Sequence, residues 1–236
     1  TGLPVHGIEV LYKGAFVEHY FKEMSVEHAC PLWVISSPSL PGNSSTFALK
    51  RLTDFAFALI GLILTLPFWP LIALGIKLTS KGPAFFVQTR VGFHGNHFKI
   101  IKFRTMTQDA EKDGAQWAVV DDPRVTRFGR FLRVTRLDEL PQLLNVLKGD
   151  MSLVGPRPER PEFVEDLARD VPYYEQRLMV PPGLTGWAQV RYRYGASKED
   201  AIRKLQFDLY YVRHLTPLFD LEILLKTIPL MAKGSR

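Results

Sequence analysis

A single cysteine, Cys30, among 236 residues leaves no internal disulfide to staple the fold, and so little thiol chemistry is compatible with a reducing, cytosol-facing location. Six histidines are scattered without the paired spacing of metal ligands, so no structural zinc site is expected. A Gly-rich phosphate loop and internal repeats are both missing, which sets aside P-loop nucleotidases and solenoids. The chain opens at Thr1 with no basic n-region and no cleavage pattern. A start inside a longer protein is therefore expected, and nothing follows from the missing leader. Acidic residues are also in deficit, 24 against 30 Lys and Arg, for a net charge of +6. A basic chain fits anionic partners: membrane surface, nucleotide phosphates or nucleic acid.

What the chain does have is one long run without charge. Phe55 to Ile76 carries no ionisable residue and is flanked by Lys50 and Arg51 before it and by Lys77 and Lys81 after it. At about 1.5 Å per residue such a run is long enough to span a bilayer. Pro67 and Pro70 sit inside it, and each removes a backbone donor and bends or ends a helix. Cations at both ends would place both ends on the cytoplasmic side. A soluble core helix and a kinked span are the alternatives, and a re-entrant helix, broken and turned back, reconciles length with charge. The run also weighs against nucleic acid as the partner, although Arg191-Tyr192-Arg193-Tyr194 mixes cations and rings as single-strand binders do.

The chemistry concentrates between Arg130 and Arg160. Leu140, Leu143, Leu144 and Leu147 recur at helical spacing, with Lys148 in the last turn and Gly149 as the stop. Proline is tolerated only in a first turn, so Pro141 sets the helix start close to Asp138, which is expected as N-cap. Cap and nucleophile look alike at this position. Arg130, Arg133 and Arg136 precede Asp138 and Glu139, and Arg157 and Arg160 follow the helix. Guanidinium forks bind phosphate, and adjacent carboxylates suit Mg²⁺ bridging to a pyrophosphate.

The run Leu137-Asp138-Glu139-Leu140-Pro141-Gln142-Leu143 continues through Asn145-Val146-Leu147-Lys148-Gly149-Asp150-Met151-Ser152-Leu153-Val154-Gly155-Pro156-Arg157-Pro158. It closely resembles the bacterial sugar transferases that are monotopic phosphoglycosyl transferases. Lys102-Phe103-Arg104-Thr105-Met106, Pro182-Gly183-Leu184-Thr185-Gly186-Trp187-Ala188-Gln189-Val190 and Asp208-Leu209-Tyr210-Tyr211-Val212 extend the resemblance over about residues 50 to 231. It implies transfer of a sugar 1-phosphate from a UDP-sugar to polyprenyl phosphate, undecaprenyl phosphate in the family's usage, with release of UMP. Asp138 falls on the nucleophile of a covalent aspartyl intermediate. Glu139 assists with proton handling or with Mg²⁺, which the two carboxylates would hold. Arg133 and Arg157 match positions near bound phosphate, and Lys102, Arg104 and Arg136 are further phosphate-binding candidates. The resemblance also implies embedding in one leaflet of the bacterial inner membrane, with the site on the cytoplasmic face and a helix broken at a proline matching Pro67. Where a small relative has serine before that proline, this chain has Leu66. A catalytically inert scaffold binding anionic lipid is the alternative function, and self-association, the sugar and the pathway are left open.

The remaining elements complete an α+β expectation of a monotopic protein with a β-hairpin and several amphipathic helices. Residues 8 to 21 support a strand and a short helix, and Ser36 to Ser45 has linker composition. Residues 1–46 are accordingly assigned to an amino-terminal fragment, and 47–236 to the catalytic domain with its membrane segment at 50–77. Phe85 to Val91 and Phe98 to Phe103 read as a hairpin that delivers Lys102 and Arg104 to one end, either as solvated strand charges or facing phosphate. His94 and His97 read as turn residues. Gln108 to Arg127 is a polar excursion in which Asp121-Asp122, followed by Pro123, signals a turn. Thr185-Gly186-Trp187 suits a nucleotide or sugar contact and packing equally. Ser197-Lys198-Glu199-Asp200 resembles a capping box opening a helix with Ile202, Leu205, Leu209 and Val212 on one face.

Overall fold

The computed structural model describes residues 3–5, 8–10, 13–26, 44–108, 110, 122–192 and 197–232. The expected linker falls outside these residues apart from Ser44 and Ser45, and so does most of the polar excursion. Strands β1 (Leu3–Val5) and β2 (Ile8–Val10) pair antiparallel, and helix α1 (Lys13–Phe21) follows. The stretch after α1 is part of the packed body. Met24 is 1 % exposed and its N–H donates to Gln206 O, while the Trp187 indole N–H donates to Lys22 O at 2.8 Å.

The apolar run forms α2 (Ser44–Thr65), a 3₁₀ turn (Leu66–Phe68) and α3 (Trp69–Thr79). Pro67 and Pro70 each stand in the first turn of the element they open, where the missing N–H costs nothing. At the break the Thr65 hydroxyl donates to Gly61 O at 2.7 Å and the Trp69 N–H to Leu66 O. The second takes up the carbonyl that Pro70, which has no N–H, leaves free, and the first is a back-bond of the threonine side chain within the last turn of α2. Taken as one stretch, Ser45–Thr79 is long and apolar enough to cross a membrane. Its surface is unlike that of a core helix: Leu52, Ile63, Leu64 and Leu71 are all exposed by more than half, and Leu78 by 78 %.

Strands β3 (Phe85–Val91) and β4 (His97–Phe103) make the expected antiparallel hairpin, with Phe85 opposite Phe103 and Phe86 opposite Lys102. His94 sits in its turn at φ 53°, followed by Gly95 at φ 79°. Asp122 closes a turn with Val125 and pairs with Arg124. Helix α4 (Arg127–Val134) is capped by Thr126 and lies so close to β4's exit that a Cβ on Gly129 would stand 2.0 Å from Thr105 O. Helix α5 (Gln142–Lys148) ends at Gly149, whose φ of 97° gives the left-handed stop that its position predicts.

Strand β5 (Ser152–Val154) leads out of α5 and pairs in parallel with β6 (Gly183–Thr185). Between them run α6 (Pro161–Asp170) and a 3₁₀ segment (Tyr174–Met179). Helix α7 (Trp187–Arg191) follows β6, and α8 (Lys198–His214) opens with the expected capping box between Ser197 and Asp200. Leu205, Leu209 and Val212 of α8 are buried. In α9 (Pro217–Ala232), Phe219 and Ile223 pack on the core while Leu218, Leu221, Leu225 and Ile228 are exposed. One cluster joins α5, β5, Trp187 and α8 and a second joins Met24, α6 and α8, while the third sets α3 against Phe103 and Leu132.

Candidate active site

Asp138 does not cap a helix. The expectation of an N-cap is corrected by Arg136, which adopts the left-handed conformation at φ 58° and turns the chain so that Leu137–Glu139 forms its own 3₁₀ turn before α5. Pro141 then occupies the N-cap position of α5, with no side-chain cap bond. Both acids are buried, Asp138 to 9 % exposure and Glu139 to 8 %. Asp138 Oδ1 meets no hydrogen-bond partner. A polar atom sealed from water without a partner is costly, so this oxygen stands ready for one.

Cations converge on the pair from three elements. Arg157, in the loop after β5, donates through Nη2 to Glu139 Oε1 at 2.9 Å. Lys102 Nζ, from β4, lies 3.5 Å from the same oxygen, and Arg136 Nη1 lies 3.9 Å away. Arg133, in the last turn of α4, donates through Nε to Thr105 Oγ1 at 2.9 Å. Cations outnumber carboxylates, so the site has positive charge to spare for an anion.

The two carboxyls are driven apart. Burial, and then the charge of Glu139, push the Asp138 carboxyl above the usual aspartate range, opposed by Lys102, Arg133 and Arg157. Burial would raise Glu139 as well, but the charges of Arg157, Lys102 and Arg136 outweigh it and hold this carboxyl below its ordinary range. Burial also lowers the Lys102 ammonium to about 8. Glu139 is thus the fixed counter-ion of the cluster, and Asp138 is the acid with an oxygen to offer.

Four predicted residues make other contacts. Arg104 turns its Nη2 to Ser80 O and Oγ, at 3.0 and 2.9 Å, where α3 ends. Thr185 Oγ1 lies 2.9 Å from Thr227 Oγ1, a Cβ on Gly186 would sit 2.2 Å from Gly155 O, and Trp187 is 1 % exposed. The Trp187 ring is committed to packing, edge-on against Phe219 at 5.2 Å.

Sequence reasoning missed the polar groups that hold the site from behind. Asn145 of α5 accepts from Ile101 N at 3.1 Å and donates to Lys99 O at 2.8 Å, which ties the helix after the acids to the strand that carries Lys102. Lys50 Nζ, at the root of α2, donates to Val154 O at 2.9 Å and Asp220 Oδ2 at 2.6 Å, and Tyr211 OH reaches the same carbonyl and carboxylate. Arg51 donates to Leu147 O at 2.8 Å. The available signal was a lone polar residue inside an apolar pattern, as at Asn145 and Asp220.

Residues 45–234 match the family described as bacterial sugar transferase. The chain belongs to that family. This bacterial sugar transferase is 46 % identical over 186 residues to the UDP-N-acetylgalactosamine-undecaprenyl-phosphate N-acetylgalactosaminephosphotransferase of Aeromonas hydrophila, over 79 % of this chain and 44 % of that protein. It is 48 % identical over 176 residues to a putative undecaprenyl-phosphate N-acetylgalactosaminyl 1-phosphate transferase of Bacillus subtilis (strain 168), over 74 % and 94 % of the two chains. With the UDP-glucose:undecaprenyl-phosphate glucose-1-phosphate transferase of Escherichia coli (strain K12) it shares 42 % identity over 182 residues, 76 % of this chain and 39 % of that one. The match thus spans less than half the length of the Aeromonas and Escherichia proteins, and nearly all of the Bacillus one.

Proposed function

We propose that this bacterial sugar transferase moves a sugar 1-phosphate from a UDP-sugar to a polyprenyl phosphate, in two displacements at one phosphorus. The observation that carries the reading is the unpartnered, buried Asp138 Oδ1 beside a carboxylate already neutralised by Arg157 and Lys102. In the first displacement a carboxylate oxygen of Asp138 forms a bond to the β-phosphorus of the UDP-sugar. The bond from that phosphorus to the bridging oxygen breaks, and UMP leaves with the electron pair. In the second, a phosphate oxygen of the polyprenyl phosphate attacks the same phosphorus and Asp138 leaves as carboxylate, giving a polyprenyl diphosphate sugar. Covalent catalysis splits an exchange between two bulky anions into two easier steps. An anionic carboxylate attacking a charged phosphoryl group needs compensating cations, and Lys102, Arg133 and Arg157 are the groups whose charges reach Asp138.

The donor set also fits Mg²⁺. The unpartnered Asp138 oxygen and the adjacent Glu139 are hard oxygen ligands, and among the described residues no group of three or more His, Cys, Asp or Glu competes as a metal cage. An ion held by two carboxylates and substrate oxygens is the usual magnesium arrangement. When bound it would neutralise charge on the diphosphate.

Membrane embedding through a re-entrant α2–α3 is part of the same reading. Its support is that the two outer ends grip one body: Arg51 at the start bonds to the end of α5, and Ser80 at the far end bonds to Arg104 beside β4. The exposed apolar side chains between them, with Arg51, Lys77 and Lys81 at the rims, fit insertion into the cytoplasmic leaflet of the inner membrane. There a lipid phosphate and a soluble nucleotide sugar meet.

The test is UMP release from a panel of UDP-sugars with undecaprenyl phosphate in nanodiscs, together with covalent labelling by the radioactive donor. Wild type releases UMP and takes up label, and Asp138→Asn does neither while staying folded. UMP release that persists in Asp138→Asn overturns the assignment, and no release by wild type with any donor favours a lipid-binding scaffold.

A further inference from the structure

Pro156-Arg157-Pro158 is a segment with an unusual backbone problem. Prolines carry no N–H, and a residue before proline is confined to extended conformations, so this stretch offers carbonyl acceptors with few donors to pair among themselves. Its carbonyls are therefore held from outside, one after another. Gly183 N donates to Pro156 O at 2.9 Å, Arg90 Nη1 to Pro158 O at 3.1 Å, and Val91 N to Glu159 O at 2.9 Å. Arg157 O, the carbonyl of the residue that reaches the acidic pair, receives Arg177 Nη2 at 2.9 Å.

Arg177 is 5 % exposed, and it is itself fixed on every side. Its Nε and Nη2 both donate to Asp208 Oδ2, at 3.0 and 2.8 Å, and its Nη1 donates to Tyr174 OH at 3.1 Å. Asp208, on α8, is 2 % exposed. A buried ion pair is a poor way to gain stability, since desolvating both charges offsets most of their attraction and an apolar replacement is often as stable. This pair does something an apolar pair cannot: it aims a rigid donor at one carbonyl. The fork that grips Asp208 sets the direction of Nη2, and Nη2 sets the Arg157 backbone from which the guanidinium extends to Glu139 at 2.9 Å.

We propose that Arg177, oriented by Asp208, is a positioning residue for the transfer reaction that acts only through Arg157. The proposal rests on the reading above in which Arg157 binds substrate phosphate. Arg177 makes no contact with Asp138 or Glu139 and contributes no proton or ligand. Without it the Arg157 loop keeps its other carbonyl contacts, but the guanidinium loses its register against the acids. A displacement of about 1 Å can cost on the order of 100-fold in rate.

The experiment is a double-mutant cycle on the full chain in nanodiscs, reading UMP-release kcat and KM for the UDP-sugar. The Arg177→Met/Asp208→Asn pair removes both buried charges together, so that no unpaired carboxylate is left behind. It is expected to lower kcat/KM by about 10- to 100-fold in the wild-type background and to change nothing further once Arg157→Ala is present. Arg177→Lys keeps the charge opposite Asp208 but cannot grip the carboxylate and Arg157 O with one fork. It is expected to lose about 10-fold or more, and serves if the double variant does not fold. Equal losses in the Arg157 and Arg157→Ala backgrounds overturn the proposal, because a general loss of packing acts in both. No loss in either Arg177 variant overturns it as well. Should Arg157→Ala alone leave turnover unchanged, the phosphate role of Arg157 fails first, which separates an error in that reading from an error in this one.

Discussion

Replacing Lys50 by methionine removes the ammonium from a sealed cluster at the root of α2. The Lys50 side chain is 2 % exposed, with Nζ 2.6 Å from Asp220 Oδ2, 3.9 Å from Asp54 Oδ2 and 2.9 Å from Val154 O. Val154 O keeps the Tyr211 and Ser152 hydroxyls, so the loss falls on the carboxylates. Breaking a buried pair from one side leaves an uncompensated charge, at a cost of about 3–5 kcal/mol. For a chain of this length each kcal/mol moves the melting temperature by about 2–4 °C, which puts the expected fall at roughly 6–20 °C. The partner variant Lys50→Met/Asp220→Leu replaces the closer pair of charges by apolar groups, leaves Asp54 with the Leu153 N–H, and is expected to recover part of the loss. Thermal unfolding of both variants and the parent, followed by near-UV circular dichroism in one detergent at one scan rate, makes the comparison. A Lys50→Met protein as stable as its parent, or a double variant as weak as the single, refutes the reasoning.

Other measurements probe the site itself. Burial lowers Lys102 to about 8 from an ordinary 10.5, so between those values the unfolded chain binds the extra proton and this lysine adds stability as pH rises through the window. Its charge on the acidic pair is lost over the same range, so KM for the UDP-sugar is expected to climb above about pH 8, and a Lys102→Met enzyme should show no such climb. Chelation of divalent ions should stop UMP release and added Mg²⁺ should restore it; release that continues in chelator rejects the metal assignment. Trp187→Ala should destabilise by about 3–5 kcal/mol, as a buried aromatic does, with KM for the UDP-sugar unchanged in the protein that remains folded. A selective rise in KM with stability intact would instead assign this ring to the nucleotide.

How much of this was legible in the sequence depended on the range of the interaction. Pro67 and Pro70 ended and restarted a helix by removing donors, Gly149 stopped α5 by adopting φ 97°, and Ser197 with Asp200 capped α8. Each acts within a turn or two, so the residues alone determined it, as they did the hairpin from its paired apolar runs. The concentration of arginines around Asp138 and Glu139 was visible for the same reason.

Tertiary structure decided which of those charges work together. Lys102 and Arg104 are two residues apart on one chain segment, yet one faces Glu139 and the other holds Ser80 at the end of α3. Asp138 reads as a helix cap until the left-handed Arg136 turns the chain and leaves its carboxyl oxygen unpartnered against the cations. Lys50 with Asp220, and Arg177 with Asp208, pair across most of the chain or between separate elements. A buried charge is tolerated only where the fold delivers its counter-ion, and no local pattern of residues specifies where that delivery takes place.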